Sequence, residues 1–169
     1  MPDIPLVLDA CCGSKMFWFD PENPDALFVD NRRVDDEVIY ESADGSDIRR
    51  LTVAPDVVAD FRRLPFPDET FWHVVFDPPH LNHGGDNAWV VKKYGRLPKD
   101  WKPMIRDGFR ECWRVLKTHG TLVFKWNEIQ IPVGEVIDAI GVKPLYGNKC
   151  GKTAKTHWLV FFKGGQNHE

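Results

Sequence analysis

Short apolar segments, each ending in a polar residue, constrain the fold of this 169-residue chain more than any other feature. They are short and rich in branched side chains, which is typical of buried strands, and they cover residues 4–10, 26–32, 56–60, 73–79 and 118–126. Their polar ends are Asp9, Asp30, Asp60, Asp77 and Asn127. In an open parallel sheet, ligands bind where the carboxyl ends of the strands meet. The pattern therefore predicts a ligand site at one edge of the sheet.

The remaining segments predict the other elements. VIYESADGSDIRRLTV (38–53) turns near Asp44-Gly45, which favours a hairpin. Apolar residues recur at helical spacing from about Asp100 to Lys117, and a short helix is expected over 132–141. THWLVFFK (156–163) reads as a last strand. Strands that alternate with helices favour an α/β fold with a mostly parallel sheet and helices on both faces.

Composition is that of an ordinary globular protein, with 43% hydrophobic and 28% charged residues. No repeat or linker divides the chain, so we expect a single domain over residues 1–169. No apolar run approaches the roughly 18–20 residues that span a bilayer. The N-terminal sequence MPDIPLVLDA also lacks the basic region of a signal peptide. These features predict a cytoplasmic protein that does not enter a membrane.

The net charge of −3 conceals an uneven distribution. Residues 1–91 carry 7 Lys and Arg against 18 Asp and Glu. Residues 92–102 carry five basic groups and one acid, and residues 143–163 carry five lysines and no acid. A polyanion could bind the second half of the chain. Lysines that merely solvate loops explain the composition equally well.

The thiols and imidazoles do not form a metal or disulfide pattern. The four cysteines are Cys11, Cys12, Cys112 and Cys150. Neighbouring cysteines rarely pair, and no C-x-x-C spacing occurs, so free thiols are expected. His80 and His83 have no Cys or carboxylate at matching spacing, and they complete no zinc pattern. We therefore expect no metal site.

Several motifs resemble those of class I S-adenosylmethionine (SAM)-dependent methyltransferases. DPPH at 77–80 is similar to the D-P-P-aromatic motif of DNA amino-methyltransferases, which modify adenine N6 or cytosine N4. The resemblance covers nearly the whole chain and is strongest to compact stand-alone methyltransferases of phages and prophages, through LDACCGS, FDPPH, LPKDW, LVFKWNE and KTHWLVF. It implies a Rossmann-like methyltransferase fold with a twisted sheet of about seven strands, a small hairpin insertion and no separate target-recognition domain.

The resemblance implies SAM as the cofactor, bound by the loop after the first strand. Asp9 matches the acid of the family motif, and Gly13, followed by Ser14, matches one of its glycines. Cys11 and Lys15 stand where the family has other glycines. Since cysteine adopts a positive φ less freely than glycine, the turn must use its main chain differently.

Three further residues match cofactor positions of the family. Asp30 matches the acid that accepts hydrogen bonds from the ribose hydroxyls, and Asp60 matches the acid near the adenine amino group. Phe61 could pack against the adenine ring. Alternatively, Asp60 caps a turn and Phe61 belongs to the core.

The DPPH segment suits methyl transfer to an exocyclic amine, which is a poor nucleophile because its lone pair is delocalised. Asp77 and the Pro78 carbonyl could each accept one N–H and aim the lone pair, with Asp77 also beside the cofactor. Pro78 and Pro79 fix φ and lack donors. His80 stands where the family has an aromatic residue that stacks on a flipped base. The alternative is a strand end with a solvated histidine.

Two basic segments are expected to contact nucleic acid. WVVKKYGRLPKDWK (89–102) interleaves cations with aromatic rings, a combination that suits single strands or a flipped nucleotide. Its expected contacts are Lys92, Lys93, Tyr94, Arg96 and Lys99. GNKCGKTAKTH (147–157) adds Lys152 and Lys155. Lys125 and Asn127 are weaker candidates for substrate contacts.

Together these features predict an enzyme that transfers the methyl of SAM to an amino group of a nucleic-acid base. Adenine N6 in DNA is favoured over RNA. Sequence specificity should be low, because only short loops, a partner or a homodimer could supply it. Three alternatives stay open: an RNA adenine methyltransferase, a methyltransferase of small molecules or protein amides, and a SAM-binding interaction protein without activity.

Overall fold

The computed structural model describes residues 4–148 and 154–165. One sheet contains seven strands: β1 (Val7–Asp9), β2 (Ala26–Asp30), β5 (Val57–Val58), β6 (Phe71–Phe76), β7 (Leu116–Asn127), β8 (Tyr146–Gly147) and β9 (Thr156–Phe162). A separate hairpin is formed by β3 (Val34–Glu41) and β4 (Ile48–Val53). The helices are α1 (Trp89–Tyr94), α2 (Lys102–Val115) and α3 (Val133–Ile140).

The strand order is β5-β2-β1-β6-β7-β9-β8. The first five of these strands are parallel to one another, and β9 runs antiparallel to both β7 and β8. From β1 the chain moves outwards to β2 and then returns to the other side of β1 as β6. This reversal leaves a crevice at the carboxyl ends of β1 and β6, where ligands bind in such folds.

The predicted mixed α/β fold, with a mostly parallel sheet and a hairpin insertion, is confirmed. The helices are distributed differently from the expectation, because α2 and α3 pack together on one face of the sheet. On the other face, Trp72 and Phe162 are 49% and 45% exposed. Between β1 and β2 the chain forms turns, since Asp20-Pro21 and Asn23-Pro24 disfavour a helix.

Two short elements were not predicted from the sequence. Helix α1 has only six residues and ends at Gly95, whose φ is +76°, so it is too short to show a helical period. Strand β8 has two residues. Conversely, α2, α3 and β9 lie within a few residues of their predicted bounds.

Packing of α2 against the sheet depends on Gly108. A Cβ atom at this position would lie 2.6 Å from the ring of Phe61 and 2.9 Å from that of Phe76. These two rings meet edge to face, with centroids 5.2 Å apart. The small residue therefore lets the helix approach the strand that carries the DPPH segment.

The hairpin supports α1. Its buried residues Ile39, Leu51 and Val53 pack with Trp89 at the start of that helix, and the guanidinium of Arg49 lies 4.1 Å from the Trp89 ring centroid. The inserted hairpin therefore holds α1 beside the carboxyl ends of β1 and β6.

Candidate functional site

A cleft of about 280 Å³ opens at the carboxyl ends of β1, β2 and β6, close to the lower end of typical ligand sites. Its wall comes from the loop after β1, the end of β2, the DPPH segment and the end of α1. The sequence-predicted residues on this wall are Cys11, Gly13, Ser14, Asp30, Phe61, Asp77, Pro79, Lys93, Tyr94, Arg96 and Lys125. The structure therefore brings together residues that are up to 114 positions apart.

The loop after β1 is shaped by two positive φ angles, +50° at Gly13 and +54° at Lys15. Lys15 thus adopts a positive φ at a position where the family that the sequence resembles has a glycine, whereas Cys11, at another such position, does not adopt a positive φ. A Cβ atom on Gly13 would meet no heavy atom within 4 Å. The loop therefore presents open space to the cleft, as a cofactor that approaches the backbone requires.

Asp30 joins the loop to the end of β2. Its Oδ2 accepts a hydrogen bond from the Gly13 amide at 3.0 Å, and its Oδ1 accepts one from the Arg32 amide at 3.0 Å and one from Arg32 Nε at 3.3 Å. Although only 6% exposed, Asp30 lines the cleft. This placement suits an acid that receives hydroxyl groups of a ribose.

Arg32 was not identified from the sequence. Its Nη1 and Nη2 donate to the carbonyls of Lys92 and Lys93 at 2.8 and 3.3 Å, at the end of α1, where a helix has unpaired carbonyls. Arg32 therefore connects the Asp30 carboxylate to the basic helix. Its position two residues after the strand-ending acid was the available signal.

Asp9 is fully buried and is not on the cleft wall. Its Oδ2 accepts a hydrogen bond from Trp18 Nε1 at 2.7 Å, and its Oδ1 accepts one from the Cys11 amide at 3.3 Å. Burial raises the pKa of Asp9 to about 7, against the lowering effect of these two donors. Asp9 therefore stabilises the loop from the core through these two hydrogen bonds and does not line the cleft as a cofactor contact would.

Asp60 and Phe61 differ in where they point. Both carboxylate oxygens of Asp60 accept hydrogen bonds from Arg62, with the shortest at 2.6 Å, and this pairing holds the pKa of Asp60 below its usual value. Asp60 is not on the cleft wall, whereas the mostly buried Phe61 is. Phe61 therefore belongs to the core and also lines the cleft.

The DPPH segment begins directly after β6. Asp77 lines the cleft, and Lys125 Nζ on the neighbouring strand β7 donates to its Oδ2 at 2.6 Å. Burial raises the pKa of Asp77, while the attraction and hydrogen bond of Lys125 lower it. Within residues 4–148 and 154–165, no donor reaches the carbonyl of Pro78. Pro78 itself is buried and is not on the cleft wall, so at this strand end the Asp77 carboxylate is the acceptor that lines the cleft.

Pro79 and His80 contact the end of α1. A Cβ atom at Gly95 would lie 3.1 Å from Pro79, so this glycine permits the helix end to approach the prolines. The His80 ring lies 5.6 Å from the Tyr94 ring and 6.4 Å from that of Trp126, between centroids. Burial, and secondly the charge of Lys125, lower the pKa of His80. This environment favours the uncharged form of His80, whose ring packs near two aromatic residues and is not on the cleft wall.

The three cysteines in the described part of the chain are free thiols. Burial raises the pKa of Cys11 and Cys112, and it raises that of Cys12 to about 12. Protonated thiols are poor nucleophiles and poor metal ligands. No cluster of three or more His, Cys, Asp or Glu side chains suited to a metal occurs among the described residues.

The predicted nucleic-acid contacts separate into two groups. Lys93, Tyr94 and Arg96 line the cleft, and Arg96 is held by the Gly84 carbonyl at 2.7 Å. The others lie away from the wall: Lys92 pairs with Glu37 at 3.9 Å, and Lys99 and Lys155 are exposed. Lys152 lies outside the described residues.

The sequence matches no protein-family model and no curated protein. Solved structures do resemble the fold. A protein from Pyrococcus horikoshii OT3 superposes with a TM-score of 0.54 at 18% identity, over 94% of this chain and 81% of the other. A SAM-dependent methyltransferase from Leishmania major gives 0.52 at 12% identity, over 96% and 67%.

Along the described residues, no helix combines the length and apolar character needed to cross a bilayer. The seven-stranded sheet with its single antiparallel strand β9, together with the likeness to the Leishmania major protein, defines the architecture. The chain has the class I methyltransferase fold.

Proposed function

We propose that this protein transfers the methyl group of SAM to an exocyclic amino group of a nucleic-acid base, with adenine N6 in DNA as the first candidate. The observation that carries the proposal is the Asp77 carboxylate, which lines the cleft at the carboxyl end of β6 and is followed in the chain by the Pro78 carbonyl, which no donor among the described residues reaches. An amino group has two N–H donors, and two adjacent acceptors match it.

The residues present fit SAM. The open space beside Gly13 would admit the methionine part, and Asp30 would accept the ribose hydroxyls. Phe61, which lines the cleft, would pack against the adenine. When bound, SAM supplies a methyl group already activated by its sulfonium, so the main task of the protein is to position the acceptor.

Asp77 and Pro78 would perform this positioning. Hydrogen bonds from the amine to the carboxylate and to the carbonyl favour a pyramidal nitrogen, whose lone pair then points away from the ring. Because the rings of Pro78 and Pro79 restrict φ, the carbonyls of these two residues point within a narrow range of directions. Removal of Asp77 should therefore reduce methyl transfer far more than cofactor binding.

The basic and aromatic side chains around the cleft support a nucleic-acid acceptor. Lys93, Arg96 and Arg32 line it together with Tyr94. Cations contact phosphates, and rings stack on exposed bases. The Tyr94 ring, which lines the cleft, and the His80 ring, 5.6 Å from it between centroids, would flank a base that is rotated out of its helix.

The test is methyl transfer from SAM with a tritiated methyl group to unmethylated genomic DNA, to total RNA and to protein, followed by nucleoside mass spectrometry. We expect N6-methyldeoxyadenosine. N6-methyladenosine instead would move the acceptor to RNA, and label in protein or in neither would refute a nucleic-acid acceptor. Binding of fluorescent DNA should weaken steeply as salt increases.

A further inference from the structure

We propose that Lys125 is a positioning residue for this site: it holds Asp77 as an oriented carboxylate through Oδ2 and leaves Oδ1 for the N–H of an uncharged amine. The identity of the acceptor rests on the proposed function. Lys125 Nζ lies 2.6 Å from Oδ2. Among residues 4–148 and 154–165, no donor reaches Oδ1, so one oxygen of a side chain that lines the cleft remains available.

The ammonium of Lys125 is confined by its surroundings. Lys125 lies in the middle of the sheet, next to β6 on one side and opposite Trp158 of β9 on the other. Its Nζ lies 5.2 Å from the Phe17 ring centroid and 5.7 Å from that of Trp158. Aromatic faces attract a cation and offer it no hydrogen-bond acceptor. Asp77 is therefore the anchor that fixes where the ammonium lies.

The charges around Asp77 explain why it needs this partner. Burial raises the pKa of Asp77, and its charge in turn raises the pKa of Asp9 on β1 and of Cys11 on the adjoining loop. Burial and the charge of Lys125 lower the pKa of His80, which favours its uncharged form. Lys125 is the one cation paired with Asp77 in the described part of the chain. Without Lys125, the pKa of Asp77 would rise further, which favours the protonated form that donates a hydrogen bond where the mechanism needs an acceptor.

The pair also selects the acceptor by charge. Asp77 and Lys125 together carry no net charge, so the pair offers an alkylammonium group no net attraction. At Oδ1, such a group would also be repelled by the nearby ammonium of Lys125. An amine that is uncharged at neutral pH meets no such repulsion. Exocyclic amines of bases belong to this class, whereas lysine side chains and polyamines do not. The pairing therefore favours a base amine or a carboxamide over an aliphatic amine.

The experiment follows the Asp77 carboxyl by NMR in protein labelled with ¹³C at aspartate carboxyls, with Asp77→Asn for assignment. In Lys125→Ala, the Asp77 titration midpoint should move to higher pH, and Lys125→Arg should keep it near the wild-type value. Lys117→Ala removes a lysine over the Trp72 ring, far from the cleft, and should leave the midpoint unchanged. Circular dichroism verifies that each variant is folded.

Added ethylammonium supplies a second arm. In Lys125→Ala it should enter the vacated space and return the Asp77 midpoint toward the wild-type value, while wild-type protein should not respond. Equal midpoints in wild type and Lys125→Ala would overturn the proposal, and so would failure of Lys125→Arg to hold the midpoint. If the Asp77 midpoint shifts in Lys125→Ala but the wild-type protein methylates no nucleic acid, the role of Lys125 stands and the proposed acceptor is refuted.

Discussion

The amide of Gly13 donates a hydrogen bond to Oδ2 of Asp30 at 3.0 Å. This contact ties the loop after β1 to the carboxyl end of β2, two segments that are 17 residues apart in the chain. The same carboxylate lines the cleft. Asp30 therefore fixes the shape of the loop, and in the proposed function it also presents an acceptor to the bound cofactor.

Replacement of Asp30 should therefore weaken cofactor binding strongly. A hydrogen bond to a charged group contributes about 1.5–3 kcal/mol, so Asp30→Ala should lower the affinity for S-adenosylhomocysteine by roughly 10- to 100-fold. Isothermal titration calorimetry measures this. Asp47→Ala, which removes an exposed hairpin acid paired with Arg49, is the matched control and should bind normally. Unchanged affinity in Asp30→Ala would exclude it from the cofactor site.

The glycine at position 108 should be required for stability. In Gly108→Ala the new methyl group would overlap the Phe61 and Phe76 rings, and overpacking of this kind costs about 1–3 kcal/mol. Gly134→Ala is the control, since a Cβ there meets nothing within 4 Å. That substitution lies within α3 and should stabilise by up to about 1 kcal/mol. Urea unfolding distinguishes the two, and equal midpoints would contradict this packing.

Burial of Asp9 should make the stability of the protein depend on pH. Its pKa is about 7 in the folded state, against 3.8 as the ordinary value, so the folded state binds the proton more tightly. The free energy of unfolding should therefore decrease as pH rises from about 4 to 7. Between pH 5 and 8 this loss amounts to up to about 3 kcal/mol.

Asp9→Asn removes the titrating group and should flatten this dependence. The amide has one oxygen where the carboxylate has two, and it cannot accept from Trp18 and the Cys11 amide through separate oxygens. This loss lowers the stability of the variant by an amount that does not depend on pH, so only the slope is diagnostic. Urea unfolding at a series of pH values measures it, with Asp47→Asn as the exposed control. If Asp9→Asn keeps the wild-type slope, Asp9 is not the buried titrating group.

Arg32 should hold α1 at the cleft. Arg32→Met removes its hydrogen bonds to the Lys92 and Lys93 carbonyls, and loss of about 1.5–3 kcal/mol would speed amide exchange in α1 by roughly tenfold or more. Hydrogen–deuterium exchange read by mass spectrometry reports this for residues 89–95. Arg62→Met breaks a comparable pair with Asp60 and should leave α1 protected. Equal exchange in α1 for both variants would show that Arg32 does not hold the helix.

The sequence predicted the sheet well because strand ends are marked locally. Asp9, Asp30 and Asp77 each close an apolar run, and all three lie at one edge of the sheet. What periodicity could not show is the direction of each side chain. Asp9 points into the core toward Trp18, and Asp60 turns outward to Arg62, because nearby donors capture each carboxylate.

Contacts between distant segments were equally hidden from the sequence. The pairing of Lys125 with Asp77 depends on the parallel register of β6 and β7, which matches Phe76 with Phe124 and brings the next residues together. The bridge from Arg32 to the end of α1 spans 60 residues. In both pairs, the residues around one partner give no indication of which residue the other partner is. Between β1 and β2 the chain forms turns in place of a helix, and Trp18 in these turns packs on Phe28. Pro21 and Pro24 were available in the sequence as the helix breakers that explain this.

The most direct test of the central claim compares wild type with Asp77→Ala in methyl transfer to unmethylated DNA, with cofactor affinity measured on the same samples. Wild type should produce N6-methyldeoxyadenosine, and Asp77→Ala should lose about 100-fold or more of the rate while retaining most of its affinity for S-adenosylhomocysteine. Full methyl transfer by Asp77→Ala, or a wild-type protein that binds the cofactor but labels no nucleic acid, would contradict the account.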